Sequence, residues 1–420
     1  MSAVAHEKTT NFERYHHLII LLGFTVLLLA HQLIKDPGRV FIYCFIYPVV
    51  NLPFYVMFKH EIGLLNISME ALSIVSLVVL FVKSRPRINL DGLRPIFLIL
   101  LLLVIYGFLV KNPSISITIS LLGMKLLLLP FFLALASRLE GDIRARIVSS
   151  LFFVQILNSF AALAETILGV DKLQLLGLQY GTNLRNFDSH LRAPGLALTN
   201  YNLGAFSAAM LFMVYLVLTK QLWLGRNISR RLCILSAFAS VTCLVLSNFR
   251  SGMVFAILAI LMCEVISRGN FLRASQALIL GIIALLLAVL SNFFLVNSNS
   301  SSERQTKWAE LIQLYDWKIG SGLGFTGAAS RSSFGSVSSL IVTDNQYVTM
   351  LLQFGLFGFV CSVLILTHCF INGSAVSKSL VLALSAMMLF VEVWDLTLFF
   401  TIILFLIFDR ISLKRKQFPS

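Results

Sequence analysis

The sequence predicts an all-α integral membrane protein that crosses the bilayer many times. Of its 420 residues, 58% are hydrophobic and only 12% are charged, and the mean hydropathy is +0.88. Since a soluble domain carries about 25% charged residues, no soluble fold could bury this much apolar surface. The long segments are apolar on every side and do not alternate with period two, which indicates helices rather than a transmembrane barrel.

The apolar segments predict twelve or thirteen spans within one membrane domain, 1–420. Thirteen spans would put the chain ends on opposite sides of the membrane. The weakest segment, 40–58, contains Pro48, Asn51 and Pro53, so we expect it to be broken or re-entrant and favour twelve spans. The predicted segments are 17–34, 40–58, 63–82, 95–110, 115–136, 147–168, 201–219, 232–249, 252–267, 274–296, 346–371, 378–391 and 396–408.

Loop charge predicts the orientation. Cytoplasmic loops of membrane proteins collect Lys and Arg, which also accounts for the net charge of +14 without a nucleic-acid partner. The basic, cytoplasmic segments are 83–94, 138–146, 220–231, 268–273 and the tail 409–420. The N-terminal segment 1–16 is also cytoplasmic if there are twelve spans. The segments left outside are 111–114, 169–200, the turn at Arg250, 297–344 and 392–395.

No metal or cofactor site is expected. The six cysteines all lie in apolar segments without metal-ligand spacing, and we interpret them as small core residues. The seven histidines are scattered along the chain, and they form no set with Ser and Asp.

The long polar loop 297–344 is predicted to be the functional segment of the protein. Structureless connections of this length are usually functional or disordered. Trp308 and Tyr315 belong to an apolar repeat of three- and four-residue steps, which predicts an amphipathic helix over 302–315. Arg304 shares this helix and is a candidate ligand for an anion.

Two arginines stand at outer helix ends. Arg192 precedes a helix that starts near Asn200, where exposed N–H groups favour an anion. It could equally be an interfacial arginine that extends to lipid headgroups. Arg250 lies in a turn with almost no loop between two spans, so it is either a topological stop or a ligand clamp.

Two motifs flank the loop's return to the membrane. Gly320-Ser-Gly322-Leu-Gly324 lacks the Lys of a phosphate-binding P-loop, and by itself it is most often a flexible turn. The run Asp344-Asn345-Gln-Tyr347 precedes a span. Taken alone, its aspartate is most often a helix N-cap.

Charges inside the spans need a reason, because they are costly in hydrocarbon. Lys125 and Glu165 could pair with each other across helices, or Lys125 could line a cavity.

Taken together, the motifs resemble the O-antigen polymerase and ligase superfamily, which contains Wzy-type polymerases and lipid A-core ligases. The matching features are Arg-x-x-Gly followed by Asn, Ser-x-x-Arg-Ser at a helix junction, Arg-x-x-x-Trp, Gly-x-Gly-x-Gly, and a polar pair before Tyr with a later Gly-x-x-Gly. The resemblance covers roughly residues 185–408, and it rests on the order, spacing and shared external location of these motifs.

The resemblance implies a GT-C-like, metal-independent glycosyltransferase in the bacterial inner membrane, with its active site facing the periplasm. Its substrate would be an oligosaccharide on undecaprenyl pyrophosphate, and a chain-length regulator and a flippase are implied as neighbours in the membrane. Arg192 and Arg250 would hold the pyrophosphate, with Arg304 as a third. The remaining candidate substrate-binding residues are Asn200, Asn345, Tyr347, Gly320, Gly322, Gly324 and Trp308 from the matching motifs, and Lys125 as the intramembrane charge that could line a cavity.

Asp344 favours a polymerase over a ligase, because ligases typically have His at this position. Whether the catalytic base is Asp344 or another group stays open. The alternatives are a ligase that transfers glycan to lipid A-core or protein, and a lipid-linked sugar flippase or transporter. Transporters tend to contain internal repeats, broken helices and mid-membrane charges, whereas this chain concentrates its polar residues outside.

Overall fold

The structure is a computed structural model, and it describes residues 31–57, 62–84, 92–113, 115–175, 177–179, 184–187, 190–222, 224, 227–268, 299–326 and 345–411. Most of the span expected at 17–34 and all of the span at 274–296 lie outside these residues. Asp344, the whole N-terminal segment 1–16 and the tail beyond residue 411 lie outside them too.

The described part is helical apart from one short hairpin. Its strands, β1 and β2, pair antiparallel with Arg185 opposite Arg192. The helices are α1 Pro37–Ile46, α2 Leu52–Met57, α3 Ile62–Ser84, α4 Arg94–Leu109, α5 Ile117–Ala134, α6 Gly141–Leu175, α7 Asn200–Leu218, α8 Arg230–Ser247, α9 Arg250–Arg268, α10 Asn299–Leu314, α11 Gln346–Asn372, α12 Ala375–Met388 and α13 Thr397–Ile411. The strands are β1 Arg185–Phe187 and β2 His190–Arg192.

The helices confirm a polytopic membrane protein. Within the described residues, seven are long and apolar enough to cross a bilayer, namely α3, α5, α6, α7, α8, α9 and α11. Three shorter apolar helices, α4, α12 and α13, accompany them. The helix that follows Asp395 is buried over nearly its whole length, which makes α13 the central helix of the bundle.

The expected break in the segment 40–58 is present. Helix α1 ends at Ile46, a 3₁₀ turn covers Tyr47–Val49, and α2 begins at Leu52. Pro48 lies in the turn and Pro53 in the first turn of α2, where a missing N–H does no harm. The chain therefore leaves the helical conformation around Asn51, inside the protein.

Segment 169–200 is more ordered than the loop expected there. Helix α6 continues to Leu175 across a kink at Gly169, and the β-hairpin follows. A 3₁₀ turn at Gly195–Ala197 then leads into α7. Thr199 caps that helix by accepting the N–H of Asn202 at 3.2 Å.

The bundle has two ends that can be told apart by their contacts. Lys220, Ser267 and Ser374 line one shallow depression, so α7 and α9 end where α12 begins. We call this the Lys220 end. The opposite end holds residues 192–200, 248–250, 345–347 and 389–396, and we call it the Arg250 end.

Candidate functional site

The turn at Arg250 is as tight as expected. Helix α8 ends at Ser247, Asn248 adopts a left-handed conformation with φ 50°, and α9 begins at Arg250. Asparagine tolerates this conformation better than most residues. Phe249 is buried, and a Cβ at Gly204 would lie 2.2 Å from its Cβ, so only glycine permits this contact between α7 and the turn.

Arg192 lies beside this turn. The N–H of Ala193, the next residue, donates to the carbonyl of Leu246 at 3.1 Å. The amide of Asn200 donates to the carbonyl of Ser247 at 3.2 Å. Two hydrogen bonds therefore fasten the segment of Arg192 to the end of α8, one turn before Arg250. Arg250 is exposed and Arg192 is half-buried.

A polar face of α6 supports the same segment from inside the bundle. Asn158 accepts the N–H of Leu196 at 3.0 Å and donates to the carbonyl of Val49 at 3.1 Å. Two helical turns further along α6, Glu165 accepts the N–H of Gly195 at 2.7 Å. Both side chains are buried. Because residues spaced by seven share one helix face, this face holds both the 3₁₀ turn after Arg192 and the broken segment.

Lys125 does not pair with Glu165. Its ammonium lies 2.9 Å from Oε2 and 3.1 Å from Oε1 of Glu70 on α3. The pairing between Lys125 and Glu165 that we considered is therefore wrong. Both partners are about 70% covered, with side-chain exposures of 31% and 28%, and each supplies the counter-charge that a bilayer cannot.

Asn345 and Tyr347 fasten α11 to α12. Asn345 is the N-cap of α11, accepting the N–H groups of Tyr347 and Val348 at 2.9 and 3.1 Å. Its amide donates to the carbonyl of Leu389 at 3.1 Å, and the Tyr347 hydroxyl donates to the carbonyl of Ser385 at 3.2 Å. The capping role considered for Asp344 thus belongs to its neighbour. Substrate binding by Asn345 and Tyr347 stays a prediction.

The glycine motif is packed between helices rather than being a free turn. Helix α11 breaks at Gly355, and Ser321 and Gly322 donate to the carbonyls of Leu352 and Gln353 just before the break, each at 2.8 Å. The N–H of Leu323 donates to the carbonyl of Gly107 on α4 at 3.3 Å. All residues of 321–326 are buried.

These contacts account for Gly320, Gly322 and Gly324. Each glycine has a positive φ, and a Cβ on Gly322 would lie 2.6 Å from the Cα of Lys111. Packing alone therefore explains why glycine stands at these positions. Their role in substrate binding stays a prediction.

The amphipathic helix expected in the long loop is present as α10. It begins slightly earlier than predicted, at Asn299, and ends at Leu314. Trp308 packs beside Leu311, Ile115 and Phe325, so this helix lies against the bundle. Arg304 belongs to α10, on the turn before Trp308.

A cavity of about 280 Å³ opens near the Arg250 end. Its walls come from the broken segment, α3, α5, the start of α7 and the stretch before α13. The polar residues among those that line it are Tyr47, Asn51, Asn66, Glu70, Ser73, Thr199, Asn202, Asp395, Thr397 and Thr401. Glu70 is the partner of Lys125, so the intramembrane ion pair borders this cavity.

Comparison with known proteins does not assign the chain to a family. No protein-family model matches the sequence, and no curated protein matches it either. Within the described residues, no group of three His, Cys, Asp or Glu side chains is placed to hold a metal ion.

Several site features were not found from the sequence. Glu70 stands inside an apolar span, and an intramembrane charge of this kind is a signal that the sequence does contain. Asn158 carries no sequence signal, because its backbone partners Val49 and Leu196 lie 109 and 38 residues away. The cavity combines five separate segments, and a linear pattern cannot bring these together.

Proposed function

We propose that the protein is a polysaccharide polymerase that transfers a growing glycan from a lipid-linked pyrophosphate to an acceptor sugar hydroxyl. One observation supports this best. The segments of Arg192 and Arg250 are fastened together at one end of a membrane bundle, which also holds a cavity with polar side chains in its wall. A lipid-linked substrate reaches such a place from the bilayer, and fixed guanidinium groups are suited to its phosphates.

The proposed reaction is a direct displacement at the anomeric carbon. The acceptor oxygen forms the new glycosidic bond as the bond to the pyrophosphate oxygen breaks, and the electron pair leaves with the pyrophosphate. Negative charge grows on that group, so Arg192 and Arg250 would stabilise the transition state more than the bound substrate. A base takes the hydroxyl proton, and Asp344, which lies outside the described residues, stays our candidate for that role.

Substitution of Arg250 tests the proposal. We expect Arg250→Ala to reduce transfer by roughly 10²–10³-fold, as for loss of one fixed electrostatic donor, and to abolish long-chain glycan. Arg250→Lys should be intermediate, because lysine keeps the charge but lacks the planar fork of donors. The measurement is a gel of cell-surface glycan, with membrane levels of each variant checked by immunoblotting.

The same gel distinguishes the alternatives. If the protein is a polymerase, cells in which the gene is deleted should carry surface glycan that is only one repeat unit long. Long chains that stay on the lipid carrier would indicate a ligase, and absence of any periplasmic repeat would indicate a flippase. Full-length glycan in Arg250→Ala cells would show that Arg250 is not needed to hold the pyrophosphate.

A further inference from the structure

The broken segment around Asn51 forms part of the cavity wall. Backbone that leaves the helix at membrane depth is tolerated where it is buried in protein or lines a water-filled cavity. Here the carbonyl of Val49 is satisfied by Asn158, at 3.1 Å. Asn51 faces the cavity, and no donor among the described residues reaches its buried side-chain oxygen. An acceptor without a partner costs about 1–3 kcal/mol, so a donor from outside the chain is expected here.

The cavity offers both hydrogen-bond acceptors and donors. The hydroxyl of Tyr47 donates to Oδ1 of Asn66 at 2.8 Å, which leaves the amide N–H groups of Asn66 as donors. Asn202 contributes only its backbone N–H to the cap of α7, and no bond of its side chain is seen in the described part. Glu70 and Asp395 add carboxylate acceptors.

The charge of the cavity selects against anions. Among the described residues that line it there is no Lys, Arg or His, whereas Glu70 and Asp395 are both acidic. A phosphate or an acidic sugar placed here would meet no basic side chain in the wall, and Lys125, which lies behind Glu70, is already engaged by that carboxylate. The pyrophosphate therefore belongs outside the cavity, at the arginines.

Size and wall chemistry suit a sugar ring. The volume of about 280 Å³ is slightly below the range of typical ligand pockets, about 300–1,000 Å³, and so suits a small group. Apolar side chains, including Phe45, Phe206 and Leu129, form the wall together with the polar ones. This mixture matches a sugar, which has apolar ring faces and hydroxyl groups at its edge.

We propose that this cavity binds an uncharged sugar ring of the glycan, with Asn51, Asn66 and Asn202 as its hydrogen-bond partners. As part of glycosyl transfer, this inference rests on the proposed function. Ala197 and Thr199, which line the cavity, follow Arg192 closely in the chain. A ring held here and a pyrophosphate held at the arginines would therefore lie at the same end of the bundle.

Sugar binding by the full-length protein in lipid nanodiscs tests the proposal. The probe is the oligosaccharide repeat released from the producing strain's surface polysaccharide, free of lipid and phosphate, and binding is followed by saturation-transfer NMR. We expect Asn51→Leu to weaken binding about threefold to tenfold, as for loss of one hydrogen bond. Its thermal stability should be unchanged or higher, because an unpartnered acceptor is removed. Asn202→Leu should weaken binding similarly.

Two controls separate this inference from the proposed function. Asn372→Leu makes the same change on an exposed residue at the Lys220 end, and it should bind the oligosaccharide like the wild type. Farnesyl pyrophosphate, which has no sugar, should bind equally to wild type and Asn51→Leu but poorly to Arg250→Ala. Weaker binding of the complete lipid-linked repeat by Asn51→Leu would assign the ring to the donor, and unchanged binding would assign it to the acceptor.

Two results would overturn the sugar site. One is equal oligosaccharide binding by wild type, Asn51→Leu and Asn202→Leu. The other is no oligosaccharide binding by wild-type protein that still binds farnesyl pyrophosphate, a result that leaves the proposed transferase in place. Tighter binding of the corresponding uronic acid than of the uncharged sugar would also contradict the acidic character assigned to the cavity.

Discussion

At the scale of single residues, polar side chains inside the spans hold backbone in place. Glu165 and Asn158 would each be expensive in hydrocarbon, yet both are buried against the N–H groups of the 3₁₀ turn after Arg192. Similarly, Glu264 accepts from the hydroxyl of Tyr215 at 2.6 Å. These groups satisfy irregular backbone or a buried hydroxyl where no water is at hand.

Glu165 is therefore expected to be a positioning residue for Arg192. We expect Glu165→Leu to lose long-chain glycan, because the N–H of Gly195 loses its acceptor and the segment of Arg192 shifts. Glu165→Gln keeps a side-chain oxygen of nearly the same reach and should restore most of the polymer. Both variants are compared by glycan gel and by binding of farnesyl pyrophosphate.

The pair of Glu165 variants separates hydrogen bonding from charge. Equal loss of polymer in Glu165→Gln and Glu165→Leu would mean that the negative charge itself is needed. Normal glycan in Glu165→Leu would show that Gly195 needs no acceptor, and the positioning role would then be withdrawn.

At the scale of elements, the glycine motif and the kink of α11 form one unit. The break at Gly355 frees carbonyl groups that a straight helix would use internally, and the segment 320–324 donates N–H groups to them. In hydrocarbon neither part could exist alone, since each would leave backbone groups unsatisfied. The loop that carries α10 is thereby anchored to α4 and α11.

Gly322→Ala should destabilise this unit. A left-handed backbone costs a residue with a side chain about 1–2 kcal/mol, and the new methyl would overlap the backbone of Lys111. We expect a lower midpoint of thermal unfolding in detergent, and reduced amounts of protein in the membrane. Gln313→Ala, on the exposed side of α10, serves as the control and should unfold like the wild type.

A different outcome would move these glycines into the substrate site. If Gly322→Ala unfolds at the wild-type temperature but no longer extends glycan, the motif acts on the substrate and packing is not its main role.

At the scale of the whole molecule, charge and contacts divide the bundle in the same way. Described parts of the basic segments predicted as cytoplasmic lie at the Lys220 end, where the buried Arg144 pairs with Asp409. Described parts of the segments predicted as external, including Arg192 and Arg250, lie at the opposite end, together with Asn345. Agreement between a charge rule and independent packing supports an outward-facing site.

Cysteine labelling tests this orientation directly. The six native cysteines are all buried, so they should not react with a membrane-impermeant maleimide. We expect Gln174→Cys, exposed beyond the kink of α6, to be labelled in intact cells. Ser229→Cys, exposed before α8, should be labelled only after the inner membrane is opened. The reverse pattern would place the arginines in the cytoplasm and contradict transfer in the periplasm.

The sequence by itself determined the class of fold and most of the helices. Spans in hydrocarbon need about 20 apolar residues, which is a strong local signal, so predicted segments such as 63–82 and 201–219 match α3 and α7 closely. The break near Pro48 and the tight turn at Arg250 could also be predicted from the sequence. Proline disrupts the helix at its own position, and two apolar segments with almost no residues between them require a tight turn.

Only the tertiary structure decided which side chains meet. The spans contain both Glu70 and Glu165 as possible partners for Lys125, and the packing of α3 against α5 places Glu70 beside it. The cavity and the two bonds that join Arg192 to the turn of Arg250 depend on contacts between distant segments. Such contacts are set by the shapes of packed helices, which hydropathy does not encode. The sequence thus marks each arginine as a candidate, whereas the fold brings their segments together at the end of the bundle that holds the cavity.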